Sequence, residues 1–279
     1  MLRQQGSCTV SCRPAFLFGR LRPTLWLQWL ALAAVLCGCA SPPAQPDRYQ
    51  QVSPAAHVSW TAAIGRLDDD DDRSSCSATL VAPDVIATAA HCLFPEGREI
   101  DPKALTFYPN LGAAPLPVAQ GQRILALGND KVDPIQPEKL MTFTDWALVR
   151  ITPPVTAVAP IAIGDFKVSE IDRRLAAGAT LSQAGYGVYG LSAGHRLYQQ
   201  INCRLVNDSD LPGAFIDWVV VTNCRVIKGD SGGPMVLTDT DGKRYLVGII
   251  SGYRRAERTE ERISFGAAAA NFAGKIAAR

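Results

Sequence analysis

The chain of 279 residues carries 28 basic and 26 acidic side chains, a formal net charge of +2. This near balance gives no bulk attraction to nucleic acid or to an anionic membrane surface, and no nucleic-acid-binding motif accompanies it. Apolar residues make up 47% and charged residues 19% of the chain, a composition that excludes disorder as its main state.

The first predicted element is an export signal over residues 1–39. Arg13, Arg20 and Arg22 form a basic stretch, and residues 24–36 after it are predominantly apolar. A membrane span takes about 20 apolar residues, so this shorter apolar stretch is typical of a signal peptide. The remaining chain, about 235 residues, is enough for one large core or two small barrels packed together.

The end of the signal, LCGC at residues 36–39, resembles a bacterial lipobox. In that interpretation Cys39 carries a lipid that is the only attachment of the protein to a membrane. The alternative is ordinary cleavage near Ala40 and release. Residues 40–58 predict a flexible tether, because their first part is polar and rich in proline. The expected location is the periplasm or the outer membrane, or else the protein is secreted.

The rest of the chain predicts an all-β fold, because short apolar runs alternate with clusters of Gly, Pro, Asn and Asp. Pro153 and Pro154 begin the crossing between two halves, about residues 59–152 and 160–270. Strands are predicted in the first half over residues 62–65, 77–81, 85–89, 104–108, 122–127 and 147–151. In the second half they are predicted over 180–183, 198–206, 218–222, 233–237, 245–250 and 263–268, with a short helix over 271–276.

An acidic run at residues 68–72 is followed by Arg73. Five like charges repel one another and predict a solvated loop. The alternative is a calcium site, since carboxylate oxygens are hard ligands.

Of the three histidines, His57, His91 and His195, only His91 lies at a distinctive position. It is part of the string TAAHC at residues 88–92. The apolar run before it contains several β-branched residues, which predicts a strand that leads into a buried turn. His57 lies at the end of the predicted tether, ahead of the first predicted strand, and is expected at the surface, without a catalytic part.

Asp145 begins the string DWALVRI at residues 145–151, a strongly apolar predicted strand. A carboxylate is costly to bury at such a place unless it is hydrogen-bonded. Pairing it with an imidazole would satisfy the carboxylate and fix the tautomer of the ring.

The string GDSGGP at residues 229–234 predicts a nucleophile loop around Ser231. Glycines let the backbone direct N–H groups toward one point, where a carbonyl oxygen could acquire negative charge. A serine is a weak nucleophile at neutral pH and needs an adjacent base.

Four of the eight cysteines lie beyond the signal and its end, namely Cys76, Cys92, Cys203 and Cys224. Export permits disulfides, and four cysteines allow three pairings. A metal site is the alternative, disfavoured because the four lack paired C-x₂-C spacing.

The strings TAAHC, DWALV and GDSGGP, in this order, resemble the three signatures of trypsin/chymotrypsin-type serine proteases. The resemblance covers about residues 60–275. It implies two six-stranded antiparallel β-barrels with the active site in the cleft between them, and a short C-terminal helix. It also implies a monomeric serine endopeptidase that acts on proteins or peptides and needs no cofactor and no metal.

Carried over motif by motif, the resemblance gives each catalytic residue a role. His91 would be the general base, Asp145 would orient it, and Ser231 would be the nucleophile. Backbone N–H groups of Gly229 and Ser231 would form the oxyanion hole.

The resemblance also extends to the disulfides and to the substrate strand. Cys76 would be bonded to Cys92 beside the catalytic histidine, which leaves Cys203 bonded to Cys224. In the string LVGIISG at residues 246–252, the serine, Ser251, would hydrogen-bond the triad carboxylate. Gly252 and the residues after it would pair with an extended substrate.

Specificity rests on Arg225. Counting back from Ser231 without gaps places Arg225 where trypsin-like enzymes have the residue at the floor of the specificity pocket. A cation there disfavours a basic P1 side chain and favours an acidic one, with help from Lys228, or from Arg254 and Arg255. The alternative is that Arg225 points to solvent.

Asp230 raises a mechanistic question. In trypsin-like relatives a freed N-terminal amine pairs with the acid at this position and shapes the oxyanion hole. No Ile-Val-Gly-Gly-like start follows Arg73. The loop is therefore expected to be preformed or supported by another group, and the protein to be active without internal cleavage.

Two other functions are compatible with parts of this pattern. One is a catalytically silent relative that binds envelope polymers or proteins through the same cleft; the complete set of triad residues disfavours it. The other is a lipase or esterase, disfavoured because the nucleophile string lacks the strand-to-helix context of those enzymes.

Overall fold

A computed structural model describes residues 49–53, 60–70, 75–94, 99–111, 116–128, 142–188, 196–207, 216–255 and 262–276. The predicted export signal, the lipid site Cys39, His57 and His195 lie outside these residues. Within the part of the chain that is described, no helix is both long enough and apolar enough to cross a membrane.

The first half contains six antiparallel strands that close into a barrel, in the order β2-β3-β4-β7-β6-β5. Its core is apolar: Leu80, Phe107 and Leu148 are fully buried. The bounds are β2 Ile64–Asp69, β3 Ser75–Ala82, β4 Val85–Thr88, β5 Leu105–Pro109, β6 Ala119–Leu127 and β7 Ala147–Thr152.

The second half forms an eight-stranded sheet in the order β1-β10-β9-β12-β13-β14-β11, with β8 parallel to β13. The bounds are β1 Gln50–Gln51, β8 Ala162–Ile163, β9 Thr180–Gly185, β10 Tyr198–Cys203, β11 Val219–Thr222, β12 Pro234–Thr238, β13 Arg244–Arg255 and β14 Arg262–Ala268. The predicted all-β fold class is confirmed.

The second sheet is barrel-like but open, whereas the sequence predicts a second closed barrel of six strands. Its two ends approach where β10 runs past β11: Val206 N–H donates to Val221 O at 2.9 Å. Cys203, the last residue of β10, is bonded to Cys224 just after β11. An irregular pairing and a disulfide thus join the ends in place of a continuous ladder. The added strands, β1 and β8, have two residues each, too few for alternation to reveal them.

Residues 49–53 belong to this sheet, although the sequence places them in a flexible tether. Gln51 lies opposite Tyr198 on β10, and Val52 N–H donates to Leu197 O at 2.9 Å. Val52 is buried. The tether prediction is therefore wrong for this stretch, because backbone pairing and one apolar anchor fix a segment whose composition is otherwise polar.

The acidic run also differs from its prediction. Asp68 and Asp69 are the last residues of β2, and Asp69 is buried. Thr106 donates from its hydroxyl to the Asp70 carboxylate at 2.9 Å. The first part of the run is thus structured rather than a solvated loop, while residues 71–74 lie outside the described residues. The calcium site stays a prediction.

The described residues include two α-helices. Helix α1 (Val168–Ala176) lies in the second half between β8 and β9, where the sequence predicts no element. Its inner face is anchored by the fully buried Ile171, and Glu170 pairs with Arg174 one turn later at 2.8 Å, a spacing that supports helices. This i, i+4 pair beside Ile171 is a sequence signal that could have identified α1. The predicted C-terminal helix is α2 (Ala273–Ile276).

The two halves share apolar packing beside the predicted catalytic acid. Trp146, which follows Asp145, contacts Phe272 with ring centroids 5.1 Å apart. Both rings are buried in one core cluster that includes residues of both sheets. This packing fixes the beginning of β7 against the C-terminal segment.

Replacing both Cys203 and Cys224 with alanine is expected to lower the free energy of unfolding by about 3 kcal/mol, because the bridge closes a loop with a sequence separation of 21. Urea unfolding followed by tryptophan fluorescence measures the change. The same pair of substitutions at Cys76 and Cys92, with a separation of 16, is the matched comparison. A change below 1 kcal/mol for Cys203 and Cys224 would show that the irregular pairing alone joins the sheet ends.

Candidate active site

Strand pairing brings His91 and Asp145 together although they are 54 residues apart in the chain. Strands β4 and β7 are antiparallel, with Thr88 opposite Ala147. The end of β4 therefore lies beside the beginning of β7. His91 follows β4 on a 3-10 turn, Ala90–Leu93, and Asp145 lies two residues before the first residue of β7.

The carboxylate of Asp145 holds His91 at two points. His91 Nδ1 lies 2.8 Å from Asp145 Oδ2, and the backbone N–H of His91 donates to Oδ1 at 2.9 Å. An ionised carboxylate only accepts hydrogen bonds, so Nδ1 carries the proton. The second ring nitrogen, Nε2, is then the site that can accept a proton.

Burial and pairing act in opposite directions on these two groups. Burial by itself would lower the pKa of His91, but the charge of Asp145 and the hydrogen bond to it raise that pKa above its usual value. Burial by itself would raise the pKa of Asp145, but His91 outweighs it and lowers that pKa. Both shifts show that the imidazolium and the carboxylate stabilise each other. A histidine that accepts a proton during a reaction needs such stabilisation of its charged form.

Ser251 on β13 lies close to the same carboxylate and contributes to lowering the pKa of Asp145. Its hydroxyl is buried and has no partner in standard hydrogen-bond geometry. Ser251 therefore lies near Asp145, and the hydrogen bond between the two side chains stays a prediction.

The loop around Ser231 depends on two glycines with positive φ, +98° at Gly229 and +81° at Gly232. A Cβ on Gly229 would lie 2.8 Å from Tyr186 O, and one on Gly232 would lie 2.1 Å from Ser77 O. Only glycine fits both the backbone conformation and the space. Ser231 itself is half-buried.

Ser77, on β3 of the first barrel, joins that loop to the rest of the site. Its N–H donates to Ser231 O at 2.7 Å, and its hydroxyl donates to Gly229 O at 2.8 Å. The same hydroxyl accepts the N–H of Tyr186 at 2.8 Å. Ser77 is fully buried. Sequence reasoning missed this residue, and its only signal is its place next to Cys76.

The Cys76–Cys92 disulfide lies beside His91 and links the strand of Ser77 to the turn of the histidine. Its sulfur atoms and a ring nitrogen of His91 all lie within 4.8 Å of one another. The two sulfurs are bonded to each other, so they are not available as thiolate ligands for a metal. Both predicted disulfides, Cys76–Cys92 and Cys203–Cys224, are present.

The carboxylate of Asp230 is buried next to Ser231, with 2% of the residue exposed. The hydroxyl of Tyr49 lies 2.7 Å from Oδ1 and 2.8 Å from Oδ2. The N–H of Ile227 donates to Oδ2 at 2.9 Å, and the backbone of Gly187 also hydrogen-bonds the carboxylate. The Tyr49 hydroxyl is thus a hydrogen-bond partner of the carboxylate for which the sequence identified no amine. Sequence reasoning missed Tyr49 because it precedes the first signature by 39 positions.

Burial raises the pKa of Asp230 to about 7. The hydrogen bonds from Ile227, Tyr49 and Gly187 and the positive charge of Arg225 oppose this shift. The carboxylate therefore depends on its donors to stay ionised near neutral pH.

Arg225 has a fixed backbone and an exposed side chain. Its N–H donates to Gln200 Oε1 at 2.7 Å, and its carbonyl accepts the Gln183 side chain at 3.2 Å. Both glutamines are buried. Lys228 is also exposed and Arg254 is half-buried, while the side chain of Arg255 lies outside the described residues. The contact of Arg225 with substrate stays a prediction.

Comparisons with known proteins agree with this arrangement. A family model described as Trypsin matches residues 49–276. A solved structure titled "Structure of Glu endopeptidase in complex with MPD" is similar, with a TM-score of 0.60 and 18% identity over 83% of this chain and 95% of that one. At this identity the similarity shows the fold. No curated protein matches the chain.

Replacing Asp145 with asparagine is expected to lower the pKa of His91, because the attraction of the carboxylate is lost while the burial that disfavours the imidazolium remains. NMR titration of the imidazole protons measures this pKa. Asp84→Asn is the matched control, since Asp84 pairs with Arg150 and precedes the other end of β4. An unchanged or higher pKa of His91 in the Asp145 variant would contradict the pairing.

Proposed function

Because the chain belongs to the trypsin family, we propose that it is a serine endopeptidase in which Ser231, His91 and Asp145 form the catalytic triad. The observation that supports this most directly is the two-point contact of His91 with Asp145. The docking of the Ser231 loop onto the histidine-bearing barrel through Ser77 supports it further. The reaction uses these residues alone, so we propose no cofactor and no metal.

In the proposed reaction Ser231 Oγ attacks the carbonyl carbon of the scissile peptide bond while His91 Nε2 takes its proton. Asp145 keeps the ring in the required tautomer and stabilises the imidazolium. The N–H groups of Gly229 and Ser231 stabilise the oxyanion. The leaving amine then takes the proton from His91, and water hydrolyses the acyl-enzyme by the same steps.

We place the substrate backbone alongside β13. Strand β12 begins at Pro234 opposite Ile249, so Ser251 and Gly252 extend beyond it, and Gly232 N–H donates to Ile250 O just before them. An extended peptide added here would lie beside the nucleophile loop.

For specificity we propose an acidic P1 side chain. Arg225 and Lys228 are exposed within six residues before Ser231, and the charge of Arg225 acts on Asp230 next to the nucleophile. The similar solved structure is titled a Glu endopeptidase, which agrees with a fold that accepts an acidic residue.

The family and the two disulfides suggest an exported protein. A lipid on Cys39, the periplasm or outer membrane as the final location, and a monomeric state are proposals that intact-mass analysis of membrane extracts and light scattering can test.

A fluorophosphonate probe is expected to label the wild type and not Ser231→Ala, which should also lose peptide turnover by at least about 10⁴-fold. Ser169→Ala, at an exposed serine on α1, should behave as the wild type. Turnover of matched peptide and ester substrates separates an endopeptidase from an esterase. A folded, oxidised protein that takes no label would favour a silent binding protein.

A peptide library should show cleavage after Glu or Asp. Arg225→Gln is expected to reduce kcat/KM for Glu relative to Gln at P1 by about tenfold, since one charge contact of roughly 1.4 kcal/mol is lost. Arg244→Gln, at the exposed beginning of β13, is the matched control. Cleavage after Arg or Lys would eliminate the acidic preference.

A further inference from the structure

Asp230 lies between the two residues whose N–H groups form the proposed oxyanion hole. Its own N–H donates to Ile227 O at 3.1 Å, and its carbonyl accepts the N–H of Gly233 at 2.9 Å. These bonds bend the loop locally, while the carboxylate connects it to the second sheet. Whatever fixes the carboxylate also restricts the peptide planes before and after Asp230, and hence the directions of the two N–H groups.

Two glycines lie so close to the carboxylate that neither has room for a side chain. A Cβ on Gly185 would lie 2.7 Å from Asp230 Oδ1. A Cβ on Gly187 would lie 2.4 Å from the Tyr49 hydroxyl and 2.6 Å from Oδ1. The backbone at the end of β9 and in the turn after it thus packs closely against both the Asp230 carboxylate and the Tyr49 phenol.

Tyr49 is itself held in place by β1 and β10. Its ring stacks on that of Tyr198, with centroids 4.9 Å apart and planes 9° from parallel. The next residue, Gln50, pairs with Gln199. A side chain fixed by both stacking and backbone pairing loses little further freedom when its hydroxyl binds the carboxylate.

We propose that Tyr49 is a positioning residue that holds the oxyanion loop in its active conformation through its hydrogen bonds to Asp230. This inference rests on the proposed peptidase function. The phenol donates the hydrogen bond to Asp230 from within the folded chain. In this proposal no new N-terminus is needed to form the site.

The chemistry of the phenol suits this task. Burial raises the pKa of Tyr49 well above its usual value, and the charge of Asp230 raises it further. The phenol therefore stays protonated and keeps its proton to donate throughout the working pH range. The carboxylate, whose pKa is raised by burial, is the group that requires such a donor.

The test compares Tyr49→Phe with Tyr245→Phe in the full-length protein. Phe keeps the ring and removes only the hydroxyl. Tyr245 packs edge-on against Phe166, away from the loop, and should behave as the wild type. We expect Tyr49→Phe to lower kcat/KM by about 10- to 100-fold, mainly through kcat, because the oxyanion donors are misdirected.

Hydrogen exchange supplies a readout that does not depend on activity. Amides of residues 227–233 should exchange at least about fivefold faster in Tyr49→Phe than in the wild type, while those of β4 and β7 stay unchanged. If the wild type proves not to hydrolyse peptides, the proposed function fails, but this measurement still decides whether Tyr49 holds the loop.

A double-mutant cycle with Asp230→Asn tests the route of the effect. If Tyr49 acts through Asp230, adding Tyr49→Phe to Asp230→Asn should change kcat/KM by less than about twofold. Two results would overturn the proposal: activity of Tyr49→Phe within twofold of wild type with unchanged exchange, or an active wild type found only after cleavage that creates a new N-terminus within residues 60–80.

Discussion

The buried carboxylate of Asp230 is the constraint on which the loop of the candidate active site depends. A charge with 2% exposure of its residue is unfavourable unless every oxygen is hydrogen-bonded. Here the partners are the N–H of Ile227, the backbone of Gly187 and the hydroxyl of Tyr49. The last of these partners, Tyr49, directly precedes strand β1, which pairs with β10 in the second sheet.

The junction between the two halves also contains a buried polar group whose hydrogen bonds are satisfied. The hydroxyl of Ser77 is fully buried, and it both donates to Gly229 and accepts from Tyr186. Through its neighbour Cys76 and the disulfide to Cys92 it is also linked to the turn of the proposed base. The loop that would carry the nucleophile and the oxyanion donors and the turn that would carry the base are thus both connected to β3 at Cys76 and Ser77.

Much of the fold and the centre of the site could be predicted because local patterns encode them. Apolar runs between turn residues predicted most strands, and the string at residues 88–92 identified His91. Helix α1 carries the Glu170–Arg174 signal that could have identified it, whereas strands β1 and β8 and the buried part of the acidic run could not be predicted from local patterns. Their composition is polar or their length too small, and tertiary pairing outweighs such weak local preferences.

The sequence by itself determined the residue types of the candidate site and the all-β class, since these depend on strings of neighbouring residues, but it left three pairings of the four cysteines open. Only the tertiary structure decided what surrounds them: that Ser77 bridges the halves, that the second sheet stays open, and that Tyr49 meets Asp230 across 181 positions of the chain. The GDSGGP loop contains an acid that must be paired. Its partner is a phenol brought near by an edge strand, and such a long-range contact leaves no mark on the residues next to it.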